Sequence, residues 1–514
     1  MSELNLVPAP AVVAPGEGAF PLDGAVIAGP LAELLASELQ TVIGSLLSTR
    51  AAVDSVDATR LNQRSVAAEG SIVLSIDGEG PAESYRLVVT PSGVRLAGAD
   101  RAGLRYGVFT LAQLARHGAE GWELPAVAVE DAPRFAYRGF MLDTARHFFD
   151  VATVKKLIDR AARLKLNALH LHLSDDQGWR IDIASRPELT AKASSGAAFG
   201  APGGFYSTDD YAEIVAHAAD NDMVVVPEID LPGHTHAVGV AYPDLVEEPV
   251  LLDSVKDVIE RFGGGVPVKG EHYDGIAVGH SSLRIGHEPT YEFLADVLGE
   301  LAEMTPGPWL HVGGDECLGT DKEDFAAFVA RVTSMVDGLG KTPILWHEAG
   351  AAPGLAAGTV GQFWGLREND EPVAAKARAF PRGGGALILS PADAIYLDMK
   401  YDADTELGLA WAGHVGVEQS YDWDPAELID GVSEEDVLGV EAPVWTETLT
   451  TLADLDSMLF PRLASAAEIA WSPARDAHPW RTWESFAARV GGLAPLWRAQ
   501  GVGFHSAPEI DWVR

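Results

Sequence analysis

Trp309-Leu310-His311-Val312-Gly313-Gly314-Asp315-Glu316-Cys317 joins a short apolar run to two glycines and two adjacent carboxylic acids. The run 309–312 reads as a buried strand, because it is brief, apolar and stopped by glycine. Gly313 and Gly314 can take backbone angles closed to other residues, so the chain can turn sharply where the strand ends. Within a strand, neighbouring side chains point to opposite faces; beyond its end, Asp315 and Glu316 can face one cleft. Two acids crowded into a partly desolvated site do not easily both ionise, so one tends to keep its proton near neutral pH. A proton donor beside an anion is what acid-catalysed cleavage of an acetal requires.

Outward from this strand, the chain beyond residue 136 alternates short apolar runs with helical periods, the mark of βα units around a parallel sheet. Candidate strands fall at 137–142, 168–173, 224–229, 309–312, 344–347, 360–364, 386–389 and 438–445. Amphipathic helices at 151–164, 209–221, 291–303, 323–339 and 372–379 lie between several of them, and Ser207-Thr208-Asp209-Asp210 resembles a capping box. This pattern predicts an α/β fold, a (β/α)8 TIM barrel over 132–514, with its site at the C-terminal strand ends.

Residues 1–131 read as a smaller α+β domain. A helix over 31–47 places Leu34, Leu35, Leu39, Val42, Ile43 and Leu46 on one stripe. Alternating segments follow at 72–76, 85–89 and 94–97, then a helix over 102–116 and an exit linker at 125–133. In the barrel, the stretch 245–284 reads as an irregular loop, longer than a plain βα connection. It carries Phe262-Gly263-Gly264-Gly265 and His280-Ser281-Ser282. It is expected to lack an aromatic platform and to lie outside the innermost part of the site.

Composition narrows the function classes. Apolar residues make up 47% of the 514, ample for real cores, and no stretch resembles a transmembrane helix. With 75 acidic against 37 basic residues the formal charge is −38, which argues against nucleic-acid or anionic-membrane partners and for a neutral or cationic substrate. The single cysteine, Cys317, rules out an internal disulfide and a multi-cysteine zinc site, and reads as a small buried filler rather than a nucleophile. The start, MSELNLVPAPAVVAPGEG, lacks a basic segment followed by an apolar one. The expectation is therefore a cytoplasmic protein, or a secreted one if a leader has been removed.

If the barrel forms, its strand ends bring together Asp143, Arg146, His170, His172, Asp175, Asp176, Glu228, Asp230, His234, Asp315 and Glu316. Four tryptophans, Trp346, Trp364, Trp411 and Trp445, join them with Tyr396, Asp398 and Glu447. Acids and a guanidinium bond hydroxyls, and flat indoles cover the C–H faces of a sugar ring. Two chemistries could use this set. His170 and His172, beside His234 and Asp315, could hold a catalytic metal. A glycosidase needs only the acids, which ordinarily flank the scissile bond roughly 5 to 9.5 Å apart. Neighbours such as Asp315 and Glu316 cannot readily take opposite faces of one ring, which points to a nucleophile supplied by the substrate, a 2-acetamido oxygen. A third reading is a catalytically silent sugar-binding protein, for which adjacent acids have no evident use.

The motifs Arg138-Gly-Phe-Met-Leu-Asp143-Thr-Ala-Arg146-His147, His170-Leu-His172-Leu-Ser-Asp175-Asp176-Gln-Gly-Trp179-Arg180, Pro232-Gly233-His234 and His311-Val-Gly-Gly-Asp315-Glu316 occur in that order. Together they resemble glycoside hydrolase family 20, the exo-β-N-acetylhexosaminidases, most closely the bacterial members. The resemblance implies a retaining enzyme, needing no cofactor or metal, that removes terminal β-linked N-acetylglucosamine or N-acetylgalactosamine from chitobiose, chitooligosaccharides or glycan termini. It implies Glu316 as general acid and later base, and Asp315 as the group that holds the acetamido N–H and stabilises an oxazolinium. Arg146 would clamp the 3- and 4-hydroxyls beside Glu447, with Asp175 and His234 near the acid and Asp230 orienting His234. Trp346, Trp364 and Trp445 would wall the acetamido pocket and ring. Tyr396 would bond the acetamido oxygen, Asp398 a hydroxyl, and Trp411 would carry the next sugar. His170 and His172 become structural, and the pattern departs from the family at 245–284. On this reading activity should survive exhaustive chelation. Loss with recovery on adding zinc would favour the metal-dependent hydrolase instead.

Overall fold

The computed structural model describes residues 4–44, 47–50 and 70–514. The chain divides into two compact units, one of Met1–Ala136, Arg163–Lys165 and Ala467–Arg514, the other of Tyr137–Ala162 and Leu166–Ala466.

The second unit is a closed parallel barrel of eight strands. They are β1 (Tyr137–Asp143), β2 (Ala168–His172), β3 (Val224–Glu228), β4 (Trp309–His311), β5 (Thr342–Trp346), β6 (Val360–Phe363), β7 (Leu387–Leu389) and β8 (Val437–Val444), and β8 closes onto β1. Each expected strand forms, because strands covered on both faces are near-continuous apolar runs. Helices Val151–Arg163, Thr208–Asp220, Glu288–Met304, Lys322–Gly338 and Glu371–Arg382 connect them. Ser207 and Asp210 close the expected capping box, each side chain accepting the other's backbone N–H. Inside the barrel, Tyr137, Ala168, Val226, Ile344, Val360 and Ile388 make an apolar layer near the strand starts. Above it lies a polar layer, in which Glu228 and Glu441 flank His170 at 3.1 and 2.9 Å.

The stretch 245–284 is not the irregular loop that its glycines suggested. It contains a helix, Asp253–Phe262. Val255, Val258 and Ile259 repeat at helical spacing and pack, with Leu252, against Tyr273 and Ala277 from the same stretch.

The first unit holds a mixed sheet in the order Val12–Pro21, Gly121–Asp131, Tyr85–Thr90, Gly93–Gly98, Ser71–Ile76, Val26–Ala28, Ser48–Arg50, with Arg116–Gly118 paired to Gly121–Asp131. The expected linker at 125–133 is mostly strand. Leu124, Val127 and Val129 are buried, and the backbone pairs with strands on both sides. Pro125 is tolerated opposite Ala19, where the register shifts. The first helix spans Ala32–Ile43 and is ended by left-handed Gly44, whose N–H bonds Gln40 O; Leu46, assigned to its stripe, lies outside the described residues. The second helix covers Arg101–Gln113, and Trp483–Ala499 belongs to the same unit.

Within this unit Glu468 is fully buried and accepts from both terminal nitrogens of Arg489 at 2.7 Å and from Ala9 N at 2.9 Å. Glu468→Ala leaves the buried guanidinium without that carboxylate, and breaking such a pair costs about 3–5 kcal/mol. Urea unfolding should register it as a lowered midpoint; an unchanged midpoint would show that the pair contributes nothing net.

Candidate active site

The turn after β4 is built on its glycines. Gly313 and Gly314 have φ of +66° and +103°, and a Cβ on Gly313 would fall 1.7 Å from Asp230 Oδ1. Gly314 N–H donates to that Oδ1 at 3.2 Å, and Trp346 N–H donates to Gly313 O at 2.9 Å. The turn is thus pinned from the ends of both neighbouring strands. Glu316 and His234 also sit in the left-handed region, at φ +46° and +54°. Such backbone strain costs on the order of 1–3 kcal/mol per residue and persists only where the surroundings enforce it.

Asp175 is the charged centre of the site. It is fully buried, accepts from His172 Nε2 at 2.7 Å and Asp176 N at 2.6 Å, and lies 3.0 Å from His234 Nδ1 and 2.9 Å from an Arg146 terminal nitrogen. Burial would raise its pKa, but Arg146, His234 and His172 hold it well below the usual carboxylate range. His234 shows the converse. Burial would lower its pKa, yet Asp175, Asp315 and Asp230 raise it well above an ordinary imidazole. Its Nε2 stands 3.6 Å from Asp315 and 3.5 Å from Glu316, with no hydrogen-bond partner. Asp315 is pushed up to about 6, mainly by burial and, among its neighbours, by Glu316, against the lowering effect of His234. Asp315 Oδ1 is buried and has no hydrogen-bond partner.

A cavity of about 640 Å³ opens over these groups, within the size range of ligand sites. Arg146, His234, Asp315, Glu316, Trp364, Tyr396, Trp411, Trp445 and Glu447 line it. The Arg146 guanidinium lies 4.8 Å from the Trp445 ring centre, and Glu447 is pushed up to about 7 by burial, against Arg146. Trp411 is 52% exposed, a free indole face at the mouth.

Other expected contacts stand one layer back. Trp346 is fully buried and donates Nε1–H to Glu228 at 3.0 Å, packing behind Tyr396 and Trp445 rather than facing the cavity. Asp398 is buried, accepts from Trp445 N at 3.3 Å, and does not line the cavity either. Asp230, expected to orient His234, accepts from the Gly314 N–H at 3.2 Å instead. Asp175 takes the histidine's Nδ1, because its oxygens point at the ring edge while Asp230 is held under the glycine turn.

Some groups at the site went unread in the sequence. Glu348, two residues past the end of β5, accepts from Trp364 Nε1 at 3.0 Å and is pushed up to about 8 by burial and by Asp315. Its place just after Trp346 and His347 was the available signal. Lys400, Glu406, Asp257, Val258, Arg261 and Phe262 line the outer cavity. The last four come from the unrecognised helix.

Among the described residues, four groups of three could hold a metal: His170, Glu228 and His311; His172, Asp175 and Asp230; Asp175, Asp176 and His234; and Asp230, His234 and Asp315. Their atoms are largely engaged with one another. Glu228, for example, bonds His172 and lies 2.9 Å from His311 Nδ1.

Adjacent acids, an imidazolium and a guanidinium, set with indoles at the mouth of a (β/α)8 barrel, define a glycoside hydrolase. Residues 135–474 match the catalytic domain of glycosyl hydrolase family 20, and residues 3–132 match that family's domain 2. The chain belongs to family 20. It is 44% identical to a β-N-acetylhexosaminidase of Cellulomonas fimi over 440 residues, covering 85% of this chain and 83% of the relative. The structure of a family 20 β-N-acetylglucosaminidase superposes with a TM-score of 0.88 at 53% identity, covering 99% of this chain and 100% of that one. Streptomyces plicatus N-acetyl-β-hexosaminidase, bound to Thio-NAglucal, gives 0.87 at 41% identity, covering 100% and 98%. Among the described residues no helix is long and apolar enough to cross a membrane.

If Asp315 must be ionised to act, activity is lost as pH falls through its pKa. The acid limb of kcat/KM should therefore lie near pH 6. Asp315→Asn should abolish that limb along with most of the rate. A limb that stays in place in the variant would belong to another group, Glu447 first.

Proposed function

We propose that this cavity holds one terminal N-acetylhexosamine with its glycosidic oxygen at Glu316 and its acetamido group at Asp315. The activity is that of an exo-acting, retaining β-N-acetylhexosaminidase using substrate-assisted catalysis. Support for the residue roles comes from one observation above all. The two acids are sequence neighbours on one turn, and the buried Asp315 Oδ1 has a free acceptor position. Glu316 gives its proton to the glycosidic oxygen as the C1–O bond breaks. The acetamido oxygen bonds C1 from the opposite face, forming an oxazolinium whose N–H Asp315 accepts. Positive charge develops on that nitrogen, so a fixed anion stabilises the transition state more than the ground state. Glu316, now a carboxylate, takes a proton from water as it opens the ring, and a second inversion restores the β configuration. Arg146 and Glu447 hold the 3- and 4-hydroxyls, Trp445 and Trp364 cover the ring and acetamido group, Tyr396 bonds the acetamido oxygen, and Asp398 acts from behind by holding the Trp445 backbone. Structures of Streptomyces plicatus β-hexosaminidase variants bound to the product GlcNAc support a sugar in this place.

Glu316→Gln removes the donor, a loss on the order of 10²–10⁴-fold. It should be larger on chitobiose, whose leaving alkoxide is basic, than on a nitrophenyl glycoside. Equal losses would mean that Glu316 is not the acid, or that its later role as base limits both. Asp315→Asn should cost about 10²–10³-fold in kcat, and wild-type rates should fall steeply as the N-acyl group is fluorinated. A covalent sugar ester on Asp315, trapped with a 2-fluoro sugar and found by peptide mass mapping, would make Asp315 itself the nucleophile and overturn the mechanism.

A further inference from the structure

The helix Asp253–Phe262 turns one face to the cavity that holds the acids: Asp257, Val258, Arg261 and Phe262 line it. The spacing i, i+1, i+4, i+5 is that of a single helix face. Its other side is anchored, since Val255 is buried and packs with Ile259 against Tyr273 and Ala277. The chain just past the helix is held as closely, because a Cβ on Gly264 would fall 2.1 Å from Gly275 Cα. This is a packed wall. It carries an aromatic ring, Phe262, that is 37% exposed although it lines a cavity. Trp411 is the other strongly exposed aromatic of that cavity, and it comes from the connection between β7 and β8. Exposed aromatics in a cleft lined by Asp257, Arg261, Lys400 and Glu406 suit a sugar chain: rings cover the apolar faces of pyranoses, and charged groups bond their hydroxyl and acetamido edges.

We propose that the face of this helix, with Phe262 at its C-terminal end, is a second aromatic wall of the leaving-group site and binds the second or third sugar of a linear β-linked N-acetylhexosamine oligosaccharide. The assignment rests on the activity argued above. The Phe262 ring covers one face of a leaving-group sugar, and Arg261, whose guanidinium carbon lies 4.9 Å from the centre of that ring, reaches the sugar's polar edge. Asp257 and Arg261, one turn apart, supply an acceptor and a donor to adjacent substituents. Selectivity for oligosaccharides over simple glycosides then comes from this helix as well as from Trp411.

The test compares the intact wild-type enzyme with Phe262→Ala, Phe262→Tyr and Arg261→Ala on chitotriose and on 4-nitrophenyl N-acetyl-β-glucosaminide. The readout is the ratio of the two kcat/KM values. Phe262→Ala should lower that ratio about tenfold, the weight of one lost stacking contact, chiefly through KM for chitotriose. Phe262→Tyr, which keeps the ring, should restore it, and Arg261→Ala should lower it by a smaller factor. An unchanged ratio in both alanine variants, with the wild type active, overturns the helix assignment and leaves the activity standing. Equal losses on both substrates also overturn it, since the helix would then be shaping the site of the cleaved sugar. A wild-type enzyme inert on both substrates would sink the activity itself, and the assignment with it.

Discussion

A single buried charge sets the geometry of this site. Asp175 is wholly removed from solvent, and an unpaired carboxylate there would cost several kcal/mol. It is held by His172, the Asp176 N–H, His234 and Arg146, and each of those partners is fixed in return. Arg146 reaches the cavity from where Asp175 holds it. His234 stays cationic because Asp175 bonds one ring nitrogen, and the other nitrogen then stands between Asp315 and Glu316. Removing Asp175 would let the histidine lose its proton and leave Asp315 without its nearest cation. That would raise further a carboxyl already pushed up to about 6 and leave less of it ionised.

The support for Asp175 continues down the barrel. Small barrels are commonly filled with branched apolar side chains, and the layer nearest the strand starts follows that rule. The layer above breaks it. Glu228 bonds His172, lies 3.1 Å from His170 and 2.9 Å from His311, and accepts from Trp346. A fully buried acid of this kind is weak evidence for stability, because desolvation offsets much of the attraction. Its consequence is orientation. With Nδ1 of His172 bound to Glu228, Nε2 must face Asp175, and with the Trp346 indole bound to Glu228, its body backs Tyr396 and Trp445.

How much of this could be read from residues alone depended on whether the signal was local. The barrel strands were legible because full burial writes itself as a short apolar run, and the site acids because chemistry-bearing residues recur just past those runs. Pairing was not legible. Both Asp175 and Asp230 lie within reach of His234, and only the three-dimensional turn under Gly314 sends Asp230 to the Gly314 N–H and leaves the imidazole to Asp175. Depth was not legible either: a tryptophan at a strand end reads the same whether it lines the cavity, like Trp364, or backs the wall, like Trp346. The strand Gly121–Asp131 was hidden by its proline, and the helix Asp253–Phe262 by the glycines that follow it. Yet the spacing of Val255, Val258, Ile259 and Phe262 was helical throughout.

The adjacency of Asp315 and Glu316 is itself a consequence of backbone conformation. Ordinary strand geometry would turn consecutive side chains to opposite faces. Here two glycines with positive φ, and then Glu316 itself in the left-handed region, bend the chain so that both acids border one cavity. Neighbouring residues on one turn cannot embrace a pyranose from above and below, so a nucleophile for the far face of C1 has to arrive with the substrate. The strain at Glu316 and His234 and the close packing of Asp230 on Gly313 therefore serve the reaction as directly as the acids do. An extended backbone through 313–316 would turn one of the two acids away from the cleft and part a pair that the cavity needs side by side.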